Sequence, residues 1–257
     1  MRAGFTSTRF VLVEPSHPGN VGAAARALKN MGFGRLVLVR PRLPDPHLTE
    51  QAIAMASGAT EVLEQTQVMD SLEAALAGTH WSVALSARVR EIGPPALTPR
   101  EAVPRLAAQA GTGDVALVFG NERSGLSNAD VDRCGAIVHI PANPLYSSLN
   151  LAQAVQLLAY ELRLALLDAA PAGPLSATPD LPAAAAADVG VPATNDEIEQ
   201  MFGHFQSALI ALDFLDPEHP KKLVPRLRRL CARAGLQREE VNILRGIARQ
   251  ILRKTRR

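Results

Sequence analysis

The chain has 257 residues, 47% of them hydrophobic, enough for a substantial core but too few for three domains. Its net charge of +2 conceals an asymmetry: Lys221 to Arg257 holds 13 basic and 2 acidic residues, a net +11, which leaves −9 on the other 220 and implies a polyanion-binding appendage on an acidic body. Two distant cysteines without ligand spacing, no apolar leader and no apolar run of about 18 residues argue against a disulfide scaffold, a zinc module or a membrane span; the expectation is a soluble, cytoplasmic protein.

The predicted elements alternate between strand and helix. Phe10 to Val13 is a short apolar run stopped by a turn, hence a buried strand; Val21 to Met31 is helical and ends at Gly32 and Gly34. Leu36 to Val39 is the second strand, followed by a helix from about His47 to Ser57. Asp70 and Glu73 have capping-box spacing for another helix. Trp81 to Leu85 is a strand, and Thr98-x-x-Glu101 caps a helix with Pro99 at its first position. Val115 to Phe119 and Ala136 to Ile140 are strands, and Leu151 to about Leu167 is a long apolar helix. This alternation predicts an α/β fold, a parallel sheet with helices on both faces.

The expected organisation has three parts. Residues 1–167 form the α/β domain. Residues 168–194, rich in Ala and Pro, read as a linker. Residues 195–257 form a small all-helical domain, with helices at Asp196 to Asp213, Leu223 to Ala234 and Glu239 to Leu252. It is too small for a large core of its own and is expected to pack on the main domain or on a partner chain.

The loop after the first strand, Glu14 to Gly22, is not G-x-G-x-x-G, and no P-loop occurs, which disfavours dinucleotide enzymes and NTPases. Three other loops look specialised: Ser86-Ala87-Arg88, Gly120 to Leu126, and Ile140 to Asn150. Each follows a predicted strand, where open α/β sheets bind ligands. His17 and His139 lack partners at ligand spacing, so no metal is expected.

Three of these segments carry a resemblance. Asn20-x-Gly22-x-x-x-Arg26, Phe119-Gly120-Asn121-Glu122-x-x-Gly125-Leu126, and Ile140-Pro141 through Ser148-Leu149-Asn150-Leu151-Ala152 resemble the three motifs of the SpoU branch of the SPOUT RNA methyltransferases. Gly203-His204-Phe205, Pro220-x-x-Leu223, Leu227 to Leu230 and Asn242 to Ile247 resemble the tail of the bacterial TrmJ family, as does Val13 to Asn20 at the other end. The resemblance implies a deep trefoil knot, a homodimer, S-adenosylmethionine as cofactor, and 2′-O-methylation of the ribose at position 32 of the tRNA anticodon loop, on cytidine or uridine. Asn121 departs from some close TrmJ relatives, which carry arginine there, so base preference stays open.

The resemblance assigns catalytic roles to Arg26, Asn20, Glu122, Ser148 and Asn150. Cofactor-binding positions are Leu85, Ser86, Ala87, Gly120, Ile140, Pro141, Ser148, Leu149 and Asn150. Several have a plainer reading beside the functional one. Arg26 points away from the apolar stripe of its helix and reads alone as a solvated arginine; Asn20 and Ser148 are N-cap candidates; Glu122 reads as a solvated carboxylate or as a hydrogen-bond partner of Arg26, the ribose or a loop amide; Tyr146 stacks on a base or closes its loop. The expected tRNA-binding residues are Arg26, Lys221, Lys222, Arg226, Arg228, Arg229, Arg233, Arg245, Arg249 and Arg253. A SpoU-type 2′-O-methyltransferase acting on another tRNA position or on rRNA, and a catalytically silent tRNA-binding module, are the alternatives.

Overall fold

The computed structural model describes residues 3–88, 93–168 and 190–255. In chain order the elements are α1 (Ala3–Thr6), β1 (Thr8–Val13), α2 (Pro18–Met31), β2 (Arg35–Val39), a 3-10 turn (Pro46–Leu48), α3 (Glu50–Ala56), α4 (Thr60–Glu64), β3 (Gln67–Met69), α5 (Leu72–Leu76), β4 (Thr79–Leu85), β5 (Ala96–Leu97), α6 (Pro99–Ala110), β6 (Asp114–Phe119), α7 (Asn128–Asp132), β7 (Ala136–Val138), α8 (Leu151–Asp168), α9 (Asn195–Ala211), α10 (Leu223–Ala234) and α11 (Arg238–Thr255).

The seven strands form one sheet in the order β3-β2-β1-β6-β4-β7-β5, with all neighbouring pairs parallel. The period of two in a strand decides which core each residue joins. Phe10 and Leu12 of β1, Leu36 and Leu38 of β2, and Val115, Leu117 and Phe119 of β6 enter the larger core, against α2, α6 and α8. Val11, Val13, Val37, Val39, Ala116 and Val118 enter the opposite core, against α5 and the segment around α7. Both faces are covered, so the strands read as continuous apolar runs rather than alternating ones. At the other end of the sheet, Asp114 accepts hydrogen bonds from Arg9 and Arg35 and ties β1, β2 and β6 together.

Several boundaries differ from the expectation. The helix α2 starts at Pro18, three residues before Val21, because Pro18 has no N–H to leave unpaired in the first turn and its fixed φ suits a helix start. The region from His47 to Ser57 divides into the 3-10 turn and α3, capped by the Thr49 hydroxyl, which accepts from the Ala52 amide. Ser71, not Asp70, caps α5, accepting from the Ala74 amide. The last strand stops at Val138, two residues short of Ile140. The Thr98–Glu101 capping box forms as read, with Pro99 at the first position. The short α1, α4, β3, β5 and α7 had no distinctive periodicity in the sequence. Most of the predicted linker lies outside the described residues.

The carboxyl-terminal helices gather Met201, Phe202 and Val241 into a separate small core. They also touch the α/β domain: the Asp196 carboxylate accepts from the Gly78 amide at 2.7 Å, and the Asn195 side-chain amide donates to the Thr79 hydroxyl at 2.5 Å.

Candidate active site at the carboxyl ends of four strands

Strands β1, β6, β4 and β7 are consecutive in the sheet, although they come from distant parts of the chain. The loops that follow them therefore emerge side by side at one edge. Those after β6, β4 and β7 enclose a cavity of about 340 Å³, lined by Leu85, Ser86, Ala87, Phe119, Gly120, Leu126, Val138, Ile140, Ser148, Leu149 and Leu151, among others. Of the residues expected at the cofactor, Leu85, Ser86, Ala87, Gly120, Ile140, Ser148 and Leu149 line it, whereas Pro141 and Asn150 do not. A Cβ on Gly120 would overlap the backbone of Gly125 and Leu126, so only glycine lets the β6 loop fold back on itself.

Asn121, buried at the base of that loop, has its side-chain amide in two roles. It donates to the Glu14 carbonyl at 2.6 Å, and its oxygen accepts from the Arg123 amide at 2.9 Å and the Ser124 amide at 3.3 Å. The β6 loop is thereby shaped and attached to the β1 loop. The sequence had pointed to Asn121 only as a motif variation.

Glu122 gathers the β1 loop. Its carboxylate accepts from the Ser16 amide at 3.0 Å, the Ser16 hydroxyl at 2.7 Å, the His17 amide at 3.3 Å and the Asn20 side-chain amide at 2.9 Å. Arg26 is not among its partners, which corrects one of the readings of Glu122. Asn20 sits inside α2 and does not cap it; the N-cap residue is His17, without a side-chain cap bond. The Asn20 oxygen instead accepts from the Asn150 side-chain amide at 3.0 Å. The Asn150 oxygen accepts from the Ala152 amide at 2.9 Å and the Gln153 amide at 3.4 Å. Asn150, not Ser148, therefore caps α8.

This chain of bonds has one permitted direction. A carboxylate can only accept, which turns the Asn20 NH2 toward Glu122; helix amides can only donate, which turns the Asn150 oxygen toward them. Both side-chain amides are thus fixed in orientation, and each keeps a further N–H for a substrate. Ser16 was missed by sequence reading, because its pairing across 106 positions with Glu122 has no local signature.

Burial alone would raise the Glu122 carboxyl, but hydrogen bonds from Asn20 and Ser16 outweigh it and hold its pKa below the ordinary glutamate value. A depressed folded-state pKa stabilises the protein above the unfolded pKa, and that contribution is lost as pH falls through the folded one. Glu122→Gln is therefore expected to lower thermal stability at neutral pH, with the gap to wild type closing at about pH 4 and below. Unfolding curves from pH 7 to 3 check this; a gap that does not depend on pH would contradict it.

Arg26 lies exposed on α2, away from the helix's buried residues. It lines a groove with Ala23, Asn30, Leu149, Asn150, Gln153 and Gln156. Leu149 borders both the groove and the strand-end cavity, so the two adjoin there. Tyr146 is 80% exposed and does not close its loop by burial.

In the carboxyl-terminal helices Lys221, Lys222, Arg226, Arg229, Arg233, Arg249 and Arg253 are exposed. Arg245 is half-buried, and Arg228 is turned inward. Its guanidinium donates to both Glu199 oxygens, at 2.5 and 2.8 Å, and lies 4.5 Å from the Phe202 ring centroid. This bidentate, stacked geometry removes Arg228 from the set available to phosphates. Arg228→Ala is expected to destabilise the helical unit by about 1–3 kcal/mol, read by thermal unfolding, while leaving the salt dependence of tRNA binding unchanged.

Among the described residues no three His, Cys, Asp or Glu side chains gather as a metal site, and no helix is long and apolar enough to cross a membrane.

Comparison with known proteins places this geometry. Residues 7–160 match the model of the SpoU rRNA methylase family, and residues 196–257 match that of the carboxyl-terminal domain of the tRNA methyltransferase TrmJ. A Pseudomonas aeruginosa protein named tRNA (cytidine/uridine/adenosine-2′-O-)-methyltransferase TrmJ is 47% identical over 240 residues, 93% of this chain and 91% of the relative. A Salmonella choleraesuis protein named tRNA (cytidine/uridine-2′-O-)-methyltransferase TrmJ is 44% identical over 244 residues, 95% of each. The solved structure of TrmJ from Zymomonas mobilis (Z. mobilis ZM4) superposes with a TM-score of 0.78 at 33% identity, covering 95% of this chain and 98% of that one. With these matches over nearly its whole length, and with its strand-end cavity and Glu122–Asn20–Asn150 chain, the protein belongs to the SpoU methylase family, in the TrmJ branch.

Proposed function

We propose that this protein methylates the ribose 2′-oxygen of a tRNA nucleotide, at position 32 of the anticodon loop, with S-adenosylmethionine as methyl donor. The observation that carries the reading is the position of Leu149 between the strand-end cavity and the Arg26 groove. One side is suited to the donor and the other to the RNA, with Asn150 and Asn20 at the junction.

The cavity suits a nucleoside-bearing cofactor. Its walls are apolar at Leu85, Phe119, Leu126, Ile140 and Leu149, with the loop residues Ser86, Gly120 and Ser148 beside them, a mostly apolar site with a few polar groups that suits a nucleoside. When bound, the cofactor supplies an activated methyl group on a sulfonium. The chain's own residues do the positioning. Guanidinium is not deprotonated in proteins, so Arg26 acts by gripping the phosphate beside the target ribose and aligning the 2′-hydroxyl. Asn20 and Asn150, fixed in orientation by Glu122 and by the α8 amides, direct their remaining N–H groups toward the ribose. Ser148 borders the cavity where donor and ribose meet. Because the nucleophile is the 2′-hydroxyl, DNA is not a substrate.

A homodimer is part of the same reading. Leu157, Tyr160, Leu164 and Leu167 form an exposed stripe along α8, and Leu157 also borders the Arg26 groove. A second subunit on this stripe would complete the RNA side of the site. The trefoil knot implied by the motifs places the chain from Ile140 onward through a preceding loop; the adjacency of the β4, β6 and β7 loops around the cavity supports that reading.

Transfer of labelled methyl from S-adenosylmethionine to tRNA, with mass mapping of the product, tests the function. A methylated ribose at position 32 is expected. Methylation of rRNA alone, or of a tRNA base, would overturn it. Names of relatives differ on adenosine, so the same mapping on tRNAs carrying C, U or A at that position fixes base preference.

A further inference from the structure

A second cavity, of about 230 Å³, lies at the seam between the α/β domain and the carboxyl-terminal helices, away from the strand ends. One wall carries Trp81 at the start of β4 and Arg105 and Gln109 on α6; the other carries Phe202, Arg228 and Gly235. The α/β wall also carries Asp132 and Arg133, the latter paired with Glu73. Arg228 is neutralised by Glu199. Arg105 stacks on the Trp81 indole, 4.4 Å from its centroid, and has no carboxylate partner among the described residues. The α10 C-cap, Gly235, with φ of +65°, closes against the Arg105 guanidinium.

Trp81 is 96% buried, with 4% exposure, and its indole N–H has no partner among the described residues. The indole nitrogen sits against Gly135, itself part of the cavity lining; a Cβ there would strike it. The Gln109 side-chain oxygen, one helical turn beyond Arg105, is a buried acceptor likewise without a partner among the described residues. Buried groups of this kind are ordinarily satisfied, and an indole N–H especially so. The seam thus offers an unpaired cation, an N–H donor and a carbonyl acceptor on a single wall.

We propose that this seam binds a small oxyanion bearing its own hydroxyl, of the chemistry of inorganic phosphate. Its unprotonated oxygens accept from Arg105 and the Trp81 indole, and its P–OH donates to Gln109. Bound between the two walls, it strengthens the docking of the helical unit on the catalytic domain.

Trp81 is the sole tryptophan of the chain, so its fluorescence reads this site directly. Inorganic phosphate titrated into the full-length protein is expected to change Trp81 emission saturably, and sulfate at equal ionic strength, lacking a hydroxyl, is expected to do so far less. Arg105→Gln should weaken the phosphate response about tenfold or more. Gln109→Leu should retain the response while erasing the preference for phosphate over sulfate, which keeps the test valid if the Arg105 variant fails to fold. The proposal is overturned by a non-saturating response, by equal responses to phosphate and sulfate in the wild type, or by a response to tRNA without one to phosphate. The last outcome would make the seam part of the RNA footprint.

Discussion

Arg26→Ala is expected to reduce methyl transfer to tRNA by about 10²-fold or more, the scale of losing the orientation of a reacting group. Cofactor binding should be unchanged. The separation follows from geometry: Arg26 lines the groove and not the strand-end cavity, and Leu149 stands between them. Arg26 also contributes nothing to the buried core of α2, so the variant should fold normally. Single-turnover kinetics on tRNA and calorimetry with S-adenosylmethionine measure the two quantities separately. Loss of cofactor affinity in this variant would move Arg26 into the donor site and sink its assignment to the RNA phosphate. Arg26→Lys should recover part of the rate, since a point charge still attracts the phosphate but cannot grip it bidentately.

The second large effect concerns the basic tail. A chain ending at Asp168 is expected to lose most of its affinity for tRNA and much of the salt dependence of binding. Each phosphate contact contributes about 0.9 to the slope of log affinity against log salt, so losing five contacts flattens it by about 4 to 5. Lys221, Lys222, Arg226, Arg233 and Arg249 are exposed and suited to that role, whereas Arg228 is held by Glu199 and Phe202. Filter binding across a salt series measures both affinity and slope. Equal affinity with and without the helical unit would show that the α/β domain alone carries the RNA. The asymmetry that motivates this prediction is visible in composition alone, +11 against −9.

Some of the architecture is local and was therefore legible. Val115 to Phe119 is apolar without a break because both faces of the sheet are covered. Thr98 and Glu101 sit at the spacing where each can satisfy the other's backbone, and they form the capping box expected. Leu223 to Ala234 is delimited by Pro220 before it and Gly235 after it, and α10 has those bounds. The motifs around Asn20, Gly120 and Ile140 similarly marked the loops that line the site, and Leu85, Ser86, Ala87, Gly120, Ile140, Ser148 and Leu149 all border the cavity.

The roles within those loops were less accessible. Asn20 was a sound N-cap candidate on its residue type, yet Pro18 starts the helix earlier and leaves Asn20 free to join Glu122 and Asn150. Ser148 was the cap candidate by residue type, yet the α8 amides of Ala152 and Gln153 donate to Asn150 instead. Arg228 looked like its neighbours in a basic helix until Glu199 and Phe202, nearly thirty positions earlier, were placed beside it. Trp81, an ordinary strand residue in the sequence, has a buried, unpartnered indole N–H beside Gly135 at the seam with the helical unit.

By itself the sequence determined the α/β alternation, the loops that carry the site, the family motifs and the basic tail, because periodicity, capping and charge act over a few residues or simply add along the chain. The tertiary structure alone decided that β1, β6, β4 and β7 are neighbours, that Glu122 holds the β1 loop, that Leu149 borders both the strand-end cavity and the Arg26 groove, and which arginine faces inward. Strands β1 and β6, and Glu122 and the β1 loop, lie more than a hundred positions apart, and Arg228 and Glu199 nearly thirty; what brings such groups together is sheet order and packing, which local sequence patterns do not encode.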